Sequence, residues 1–408
     1  MTSQLWRFFQ SRRGITAVLL VIGMFLVPLF LIGKNTSRIA RFKISQVFGS
    51  KPARTVTADS SHRQVGTPSE IMKRFMMRQQ HLQTVCSRPE YRRPDHGLRT
   101  SDSNFHYVAL HRLQWCSIAK VGTMFMKSKF YPQKPLRSQD LDEKTQAYLF
   151  NHPKSFYFVR DPYSRLVSGF LDKLMTAPDR WGDIGRKVII SQRKDASPYE
   201  VDCGSDVTFL EFFKYVIWAE TTNKTRNIHF LPMHDLCDVC NRNYDYIGHL
   251  ETIKEDLPYI VDSVGVVMDL SENTTDDVVG LFKKVFLRNR QVVKTCLGIY
   301  PMMKRMWWSL QARGLIADTM PLPASKSEVE MASWEQLASW AAQAHINTRE
   351  LGSRSAQKRA FRIDLFREIP LHLRLWFVEL YSKDFQLFQF EPLPPDYFPE
   401  FNNVINDH

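Results

Sequence analysis

From Phe156 to Leu174 the chain changes from a short continuous apolar run to an apolar residue every third or fourth position. Phe156 to Val159 reads as a buried strand. Tyr163, Leu166, Val167, Phe170, Leu171 and Leu174 then recur at helical spacing, which predicts one buried stripe. Asp161 stands where an N-cap belongs, and Pro162 occupies the first helical position, where its missing N–H costs nothing. Arg165, Ser168 and Asp172 fall on another face. Arg160 is left at the carboxyl end of the strand, beside a helix N-terminus, where open α/β sheets take anions.

An earlier unit has the same outline. Tyr107 to Ile118 reads as a strand interrupted by His111, Arg112 and Gln114. Lys120-Val121-Gly122-Thr123 follows, and a helix is predicted over Met124 to Phe130. A strand, a tight glycine turn and a helix make a phosphate-binding loop: Gly122 admits close backbone approach, helix N–H groups face the anion, and Lys120 supplies a point charge. The spacing differs from the G-x-x-x-x-G-K-[ST] loop of nucleotide kinases. An ordinary strand–helix pair with an exposed Arg is the competing reading of either unit alone. Further on, Thr208-Phe-Leu-Glu211 opens an apolar run through Trp218 as a capping box, and Ala and Trp spacing predicts a helix from Met331 to Ala344.

At the amino end, residues 15–32 form an apolar run preceded by Arg7, Arg12 and Arg13. The run suits a retained membrane anchor better than a cleaved signal peptide, being long for an h-region and lacking a clean small-x-small site. Flanking charge leaves orientation open, because Lys34, Arg38, Arg41 and Lys43 follow it. The chain carries 55 Lys and Arg against 42 Asp and Glu, a formal +13. That excess is local: residues 34–99 hold 14 basic and 4 acidic residues, while residues 100–408 balance. It predicts a loosely ordered basic stem, either simply solvated or holding anionic glycans or lipid headgroups. A body with no net positive field, and with no nucleic-acid-binding motif, excludes nucleic acid as partner.

Six cysteines, at 86, 116, 203, 237, 240 and 296, predict a few disulfides of open connectivity. Cys237-x-x-Cys240 near His229 and His234 raises a zinc site, but one Cys-x-x-Cys lacks the second ligand pair, so no metal is expected. Asn35, Asn223 and Asn273 head glycosylation sequons.

Taken together, these segments resemble the Golgi carbohydrate sulfotransferases, the group that includes the HNK-1, chondroitin/dermatan 4-O and GalNAc-4-O sulfotransferases. Lys120-Val-Gly-Thr is similar to the family's Pro-Lys-Val-Gly loop, and 160–173 follows its Arg-Asp-Pro-Phe-x-Arg-Leu-x-Ser-Ala-Phe-x-Asp-Lys almost residue for residue. A third block, His229-Phe-Leu-Pro through Cys237-Asp-Val-Cys240 to Tyr244-Asp-Tyr-Ile-Gly-His-Leu-Glu251, and a fourth, Leu380-Tyr-Ser-Lys-Asp-Phe-Gln-Leu-Phe388, agree in order. Ala119, Phe125 and His249 depart from the pattern at residues that bind no phosphate in it. Residues 270–360 carry no resemblance, and either shape acceptor recognition or form an insert on the far side.

The resemblance implies an α/β fold, a P-loop-like parallel sheet flanked by helices. It implies a cytoplasmic tail 1–14, an anchor 15–32, a luminal stem 33–100 and a catalytic domain 101–408 in a type II Golgi membrane protein. The implied reaction moves a sulfuryl group from 3′-phosphoadenosine 5′-phosphosulfate to a hydroxyl of a glycan, itself neutral or anionic. Lys120, Val121, Gly122 and Thr123 would hold the 5′-phosphosulfate, and Arg160 and Ser168 the 3′-phosphate; Asp161 and Arg165 belong to the same donor-binding segment, Arg165 either contacting phosphate or covering the helix face. Lys120 would stabilise the leaving oxygen, and His229 would take the hydroxyl proton, with Glu251 and Asp172 as alternative bases. Two rivals are a glycosyltransferase, which shares the layout but wants an Asp-x-Asp motif that Asp276-Asp277 supplies poorly, and a non-catalytic glycan-binding relative, which would have no need of Lys120, Arg160 and Ser168.

Overall fold

The computed structural model describes residues 66–91, 104–108, 113–130, 143–144, 153–265, 269–271, 274–352 and 354–401. The apolar run 15–32, the sequons at Asn35 and Asn273, and most of the stem lie outside them. Among the described residues no helix is long and apolar enough to cross a membrane.

Four strands form one sheet in the order β1 (Phe105–Val108), β2 (Leu113–Cys116), β3 (Lys154–Val159) and β4 (Tyr246–His249). β2, β3 and β4 run parallel, and β1 pairs antiparallel with β2, Phe105 opposite Cys116 and Val108 opposite Leu113. The sheet is therefore mixed. The strand expected over Tyr107–Ile118 is two strands, and the polar interruption at His111 and Arg112 falls between them.

β3 is buried from Ser155 to Val159, which explains its unbroken apolar run. The helix after it spans Pro162–Phe170, and the Asp161 side chain accepts from Ser164 N–H at 2.7 Å. All six residues of the predicted stripe are buried against a helical core around Phe212, Phe366 and Phe377. Beyond Phe170 the helix widens into a π turn, Leu171–Met175. The capping box at Thr208 and Glu211 forms, opening the helix Phe209–Thr222. The helix expected over Met331–Ala344 forms as Trp334–Arg349, while Met331 itself ends a shorter helix, Lys326–Met331.

The folded body begins earlier than the boundary expected at residue 101. Thr67 and Glu70 form a capping box at the start of a helix, Pro68–Cys86, that lies against β4. Arg78 donates to the carbonyl of Ile247 at 2.9 Å and to Asp256 at 2.7 Å, and Arg74 reaches the other oxygen of the same buried carboxylate. These two arginines of the basic stretch are structural.

Disulfides join Cys86 to Cys240, Cys116 to Cys237 and Cys203 to Cys296. All six sulfurs are used, so Cys237-x-x-Cys240 offers no thiolate to zinc. The segment from 270 to 360, expected to carry no resemblance, builds a core in which Phe282, Phe286, Met302, Met306 and Leu337 pack with Trp181.

Candidate active site

The turn after β2 is held in an unusual shape. Lys120 has φ +70° and Gly122 φ +82°. A left-handed conformation at a lysine costs on the order of 1 kcal/mol and persists only where the surroundings enforce it. Two arginines enforce it: Arg160 Nη1 donates to the Lys120 carbonyl at 3.2 Å, and Arg165 Nε to the Ala119 carbonyl at 3.0 Å. The two sequence units thus meet in one structure. At Gly122 a Cβ would lie 3.1 Å from Leu250, on top of its positive φ, so the turn needs glycine. Val121 is fully buried and contributes only backbone to the turn. The Thr123 hydroxyl donates to the Ile118 carbonyl at 2.6 Å and closes the loop; its proton is not free for a phosphate.

Lys120 Nζ lies 2.5 Å from Asp172, which also holds Lys173 at 3.0 Å. Burial pushes the Lys120 ammonium down to about 8 against the pull of Asp172, and Lys173 and Arg313 push the same way. Burial would raise the Asp172 carboxyl, yet the two lysines hold it far below the usual carboxylate range. Asp172 positions Lys120 and is too weak a base to take a hydroxyl proton.

His229 approaches from the loop before the helix Met233–Cys237. That loop is fixed at several points. The buried carboxylate of Asp384, in the fourth sequence block, accepts from Met233 N–H at 2.6 Å and from His234 Nδ1 at 2.7 Å, and Tyr381 donates to the Phe230 carbonyl. Gly169 makes room for Phe230: a Cβ there would lie 2.7 Å from its ring. His229 Nδ1 is buried with no hydrogen-bond partner among the described residues. Burial, then Lys173 and Lys120, push the imidazole down to about 3, so it is neutral.

Arg160 stands at the end of β3, its guanidinium pushed down to about 10 by burial, with Glu251, Arg362 and Asp161 around it. Ser168 lies two turns into the helix, partly exposed. Two further residues of the expected donor-binding segment make structural contacts. Arg165 is 2% exposed and spends its donors on the carbonyls of Ala119, Leu231 and Ile228. Asp161 is the helix cap, and its own N–H donates to Glu251 at 3.1 Å. Arg165 ties the two turns to the His229 loop instead of facing a ligand. Sequence reasoning assigned no role to Lys173, though it ends the matched block, or to Arg313 and Arg362, which carry no local signal. Asn223 is exposed at the end of its helix. A separate cleft of about 360 Å³, lined by Gln79, Arg242, Asn243 and Asp245 among others, contains none of the site residues.

Among the described residues no group of side chains is arranged to hold a metal ion. The sulfotransferase family profile matches residues 68–291, more than half of the chain, and so takes in the first part of the segment from 270 to 360 that was expected to carry no resemblance. Carbohydrate sulfotransferase 14 of Danio rerio is 32% identical over 126 residues, 31% of this chain and 34% of that protein. Carbohydrate sulfotransferase 11 of Mus musculus is 32% identical over 130 residues, 31% of this chain and 36% of that protein. Carbohydrate sulfotransferase 10 of Xenopus laevis is 26% identical over 225 residues, covering 45% and 60%. The chain thus aligns with about a third of the length of the first two relatives. No solved structure matches significantly.

Proposed function

Because this chain belongs to the sulfotransferase family, we propose that it transfers a sulfuryl group from 3′-phosphoadenosine 5′-phosphosulfate to a glycan hydroxyl. The observation that carries the reading is the hydrogen bond from Arg160 to the Lys120 carbonyl, which fixes two anion-binding turns side by side. One turn suits each phosphorylated end of the donor. The backbone N–H groups of Gly122 and Thr123, with Lys120, take the 5′-phosphosulfate. Arg160 and Ser168 take the 3′-phosphate.

The reaction is an in-line displacement at sulfur. The acceptor oxygen forms a bond to sulfur, the bond from sulfur to the bridging oxygen breaks, and adenosine 3′,5′-bisphosphate leaves. Lys120, protonated and aimed by Asp172, offsets the charge that builds on the leaving oxygen. His229 is neutral and in this reading receives the hydroxyl proton. Its basicity is low chiefly because the ring is buried, and Lys173 and Lys120 lower it further. The donor's sulfonate and phosphate bring the negative charge that raises it.

We place the body in the Golgi lumen, anchored through residues 15–32 in type II orientation. Three disulfides support an oxidising compartment. Asn223 is the described residue placed to carry a glycan there. Asp276 and Asp277 sit in the first turn of the helix Thr274–Phe282, where acidic residues favour a helix start, and give a glycosyltransferase reading no support.

The test incubates the full chain with radiolabelled donor and a panel of desulfated glycans, alongside retention on immobilised adenosine 3′,5′-bisphosphate. Label on at least one glycan, together with retention, is the expected result. No label and no retention would remove the proposal.

A further inference from the structure

Residues beyond the family match reach the reaction site. The helix Ile299–Ala312 packs against the π turn Leu171–Met175, which carries Asp172, and ends at Arg313. Arg313 Nη2 donates to Thr176 Oγ1 at 3.1 Å, and that hydroxyl donates onward to the carbonyl of Leu171 at 3.0 Å. The guanidinium is thereby fixed to the turn that aims Lys120. Gly314, at φ +67°, turns the chain immediately afterwards and lies against Arg354, whose Cβ would be 2.8 Å from a Cβ added there.

Charge at this corner is unbalanced. Asp172 is shared by Lys120 and Lys173. Arg313 makes no ion pair among the described residues, and its Nε is buried without a partner. Nε and Nη2 of Arg354 are likewise buried and unpartnered. Arg313 lies close enough to Lys120 to disfavour that ammonium, and close enough to Asp172 to feel its charge. Three cations therefore face one carboxylate at the transfer point before any substrate arrives. A partly buried guanidinium without a counter-anion is costly unless a ligand supplies one. The proposed function assigns the donor's phosphosulfate to the Lys120 turn, whereas Arg313 is fixed to Thr176 at the far end of the π turn. The remaining ligand is the acceptor.

We propose that Arg313 is a specificity residue that binds an anionic substituent of the acceptor glycan, a carboxylate or sulfate ester next to the hydroxyl being sulfated. The planar guanidinium suits either group, since both present paired oxygens. The segment from 270 to 360 then forms the acceptor side of the site. This rests on the sulfuryl-transfer reading.

The experiment uses the full chain, radiolabelled donor and three acceptors. One is a desulfated polysaccharide of alternating hexuronic acid and N-acetylhexosamine. The second is the same polymer with its carboxyls reduced to alcohols, and the third is that reduced polymer bearing sulfate esters. The unsubstituted chain is expected to prefer one anionic polymer, and which one it prefers identifies the group. Arg313→Gln, which keeps a donor toward Thr176, is expected to raise the KM for that acceptor by about 10- to 100-fold, the loss typical of a charge-assisted hydrogen bond. It leaves the KM for the donor unchanged and abolishes the preference. Arg313→Lys, which keeps the charge, retains part of the preference and guards against a folding artefact. Equal use of neutral and anionic polymers, an unaltered acceptor KM in Arg313→Gln, or a raised donor KM would overturn the proposal while leaving sulfuryl transfer standing. No label with the unsubstituted chain on any polymer would overturn both.

Discussion

Arg160 donates to the carbonyl of Lys120 across 3.2 Å, so the residue that ends one parallel strand braces the strained residue that follows its neighbour. The side chain assigned to the donor's 3′-phosphate thus also holds the loop assigned to its 5′ end. Arg160→Ala is expected to weaken binding of adenosine 3′,5′-bisphosphate by at least tenfold, because both a charged contact and the brace are lost. Titration calorimetry with that nucleotide measures it. Unchanged affinity would take Arg160 out of the donor site.

Lys120→Ala is expected to lower kcat by about 10²- to 10³-fold with a smaller change in donor KM, as when one group stabilising a developing anion is removed. The pH profile gives an independent check. Catalysis needs the ammonium, and its folded value is pushed down to about 8. The specificity constant kcat/KM, which reports the free enzyme, therefore falls as pH rises through about 8, more than two units below the fall an ordinary lysine would give. A profile flat to pH 10 would show that Lys120 does not supply the proton-bearing cation.

His229 makes an opposite demand on stability. Its folded value, about 3, lies below that of an exposed imidazole, so the unfolded chain binds the extra proton first. Stability is expected to decline as pH falls below about 6.5, the unperturbed value, and His229→Gln should flatten that decline while slowing turnover. Denaturant melts from pH 7 to pH 5 read the first effect, and kcat the second. An unaltered slope would show that the imidazole is not held neutral.

Arg165 separates architecture from binding. Its guanidinium satisfies three backbone carbonyls while 2% exposed. Arg165→Ala is expected to cost about 3 kcal/mol, since buried acceptors are left unsatisfied. Thermal melts show the loss directly. Intact stability with donor affinity abolished would return Arg165 to the phosphate site.

How much of this was legible depended on how local each signal was. The strand β3, the Asp161 cap and the buried stripe from Tyr163 to Leu174 were readable because period and cap lie within twenty residues. The burial of Arg165 was not, because its partners at 119, 228 and 231 belong to other segments. Thr67-x-x-Glu70 carries the same capping signal as Thr208-x-x-Glu211. The surrounding basic residues mask it, since they read as a loosely ordered stem, whereas Arg74 and Arg78 neutralise a buried carboxylate. The hairpin of β1 and β2 was read as one strand because polar residues within a strand and polar residues between strands look alike in a single sequence. Arg313 had no local pattern at all; only the packing of its helix on the π turn brings it to Asp172.

The Cys-x-x-Cys pair never closes on itself: Cys237 reaches Cys116 at the end of β2, and Cys240 reaches Cys86 at the end of the helix Pro68–Cys86. Both amino-terminal thiols must therefore wait during synthesis until the ribosome has passed residue 240. A premature link between Cys237 and Cys240 is the nearest wrong outcome, and it would strand both of them. Exchange of sulfur bonds, and not their formation alone, is what would free a chain caught in that link.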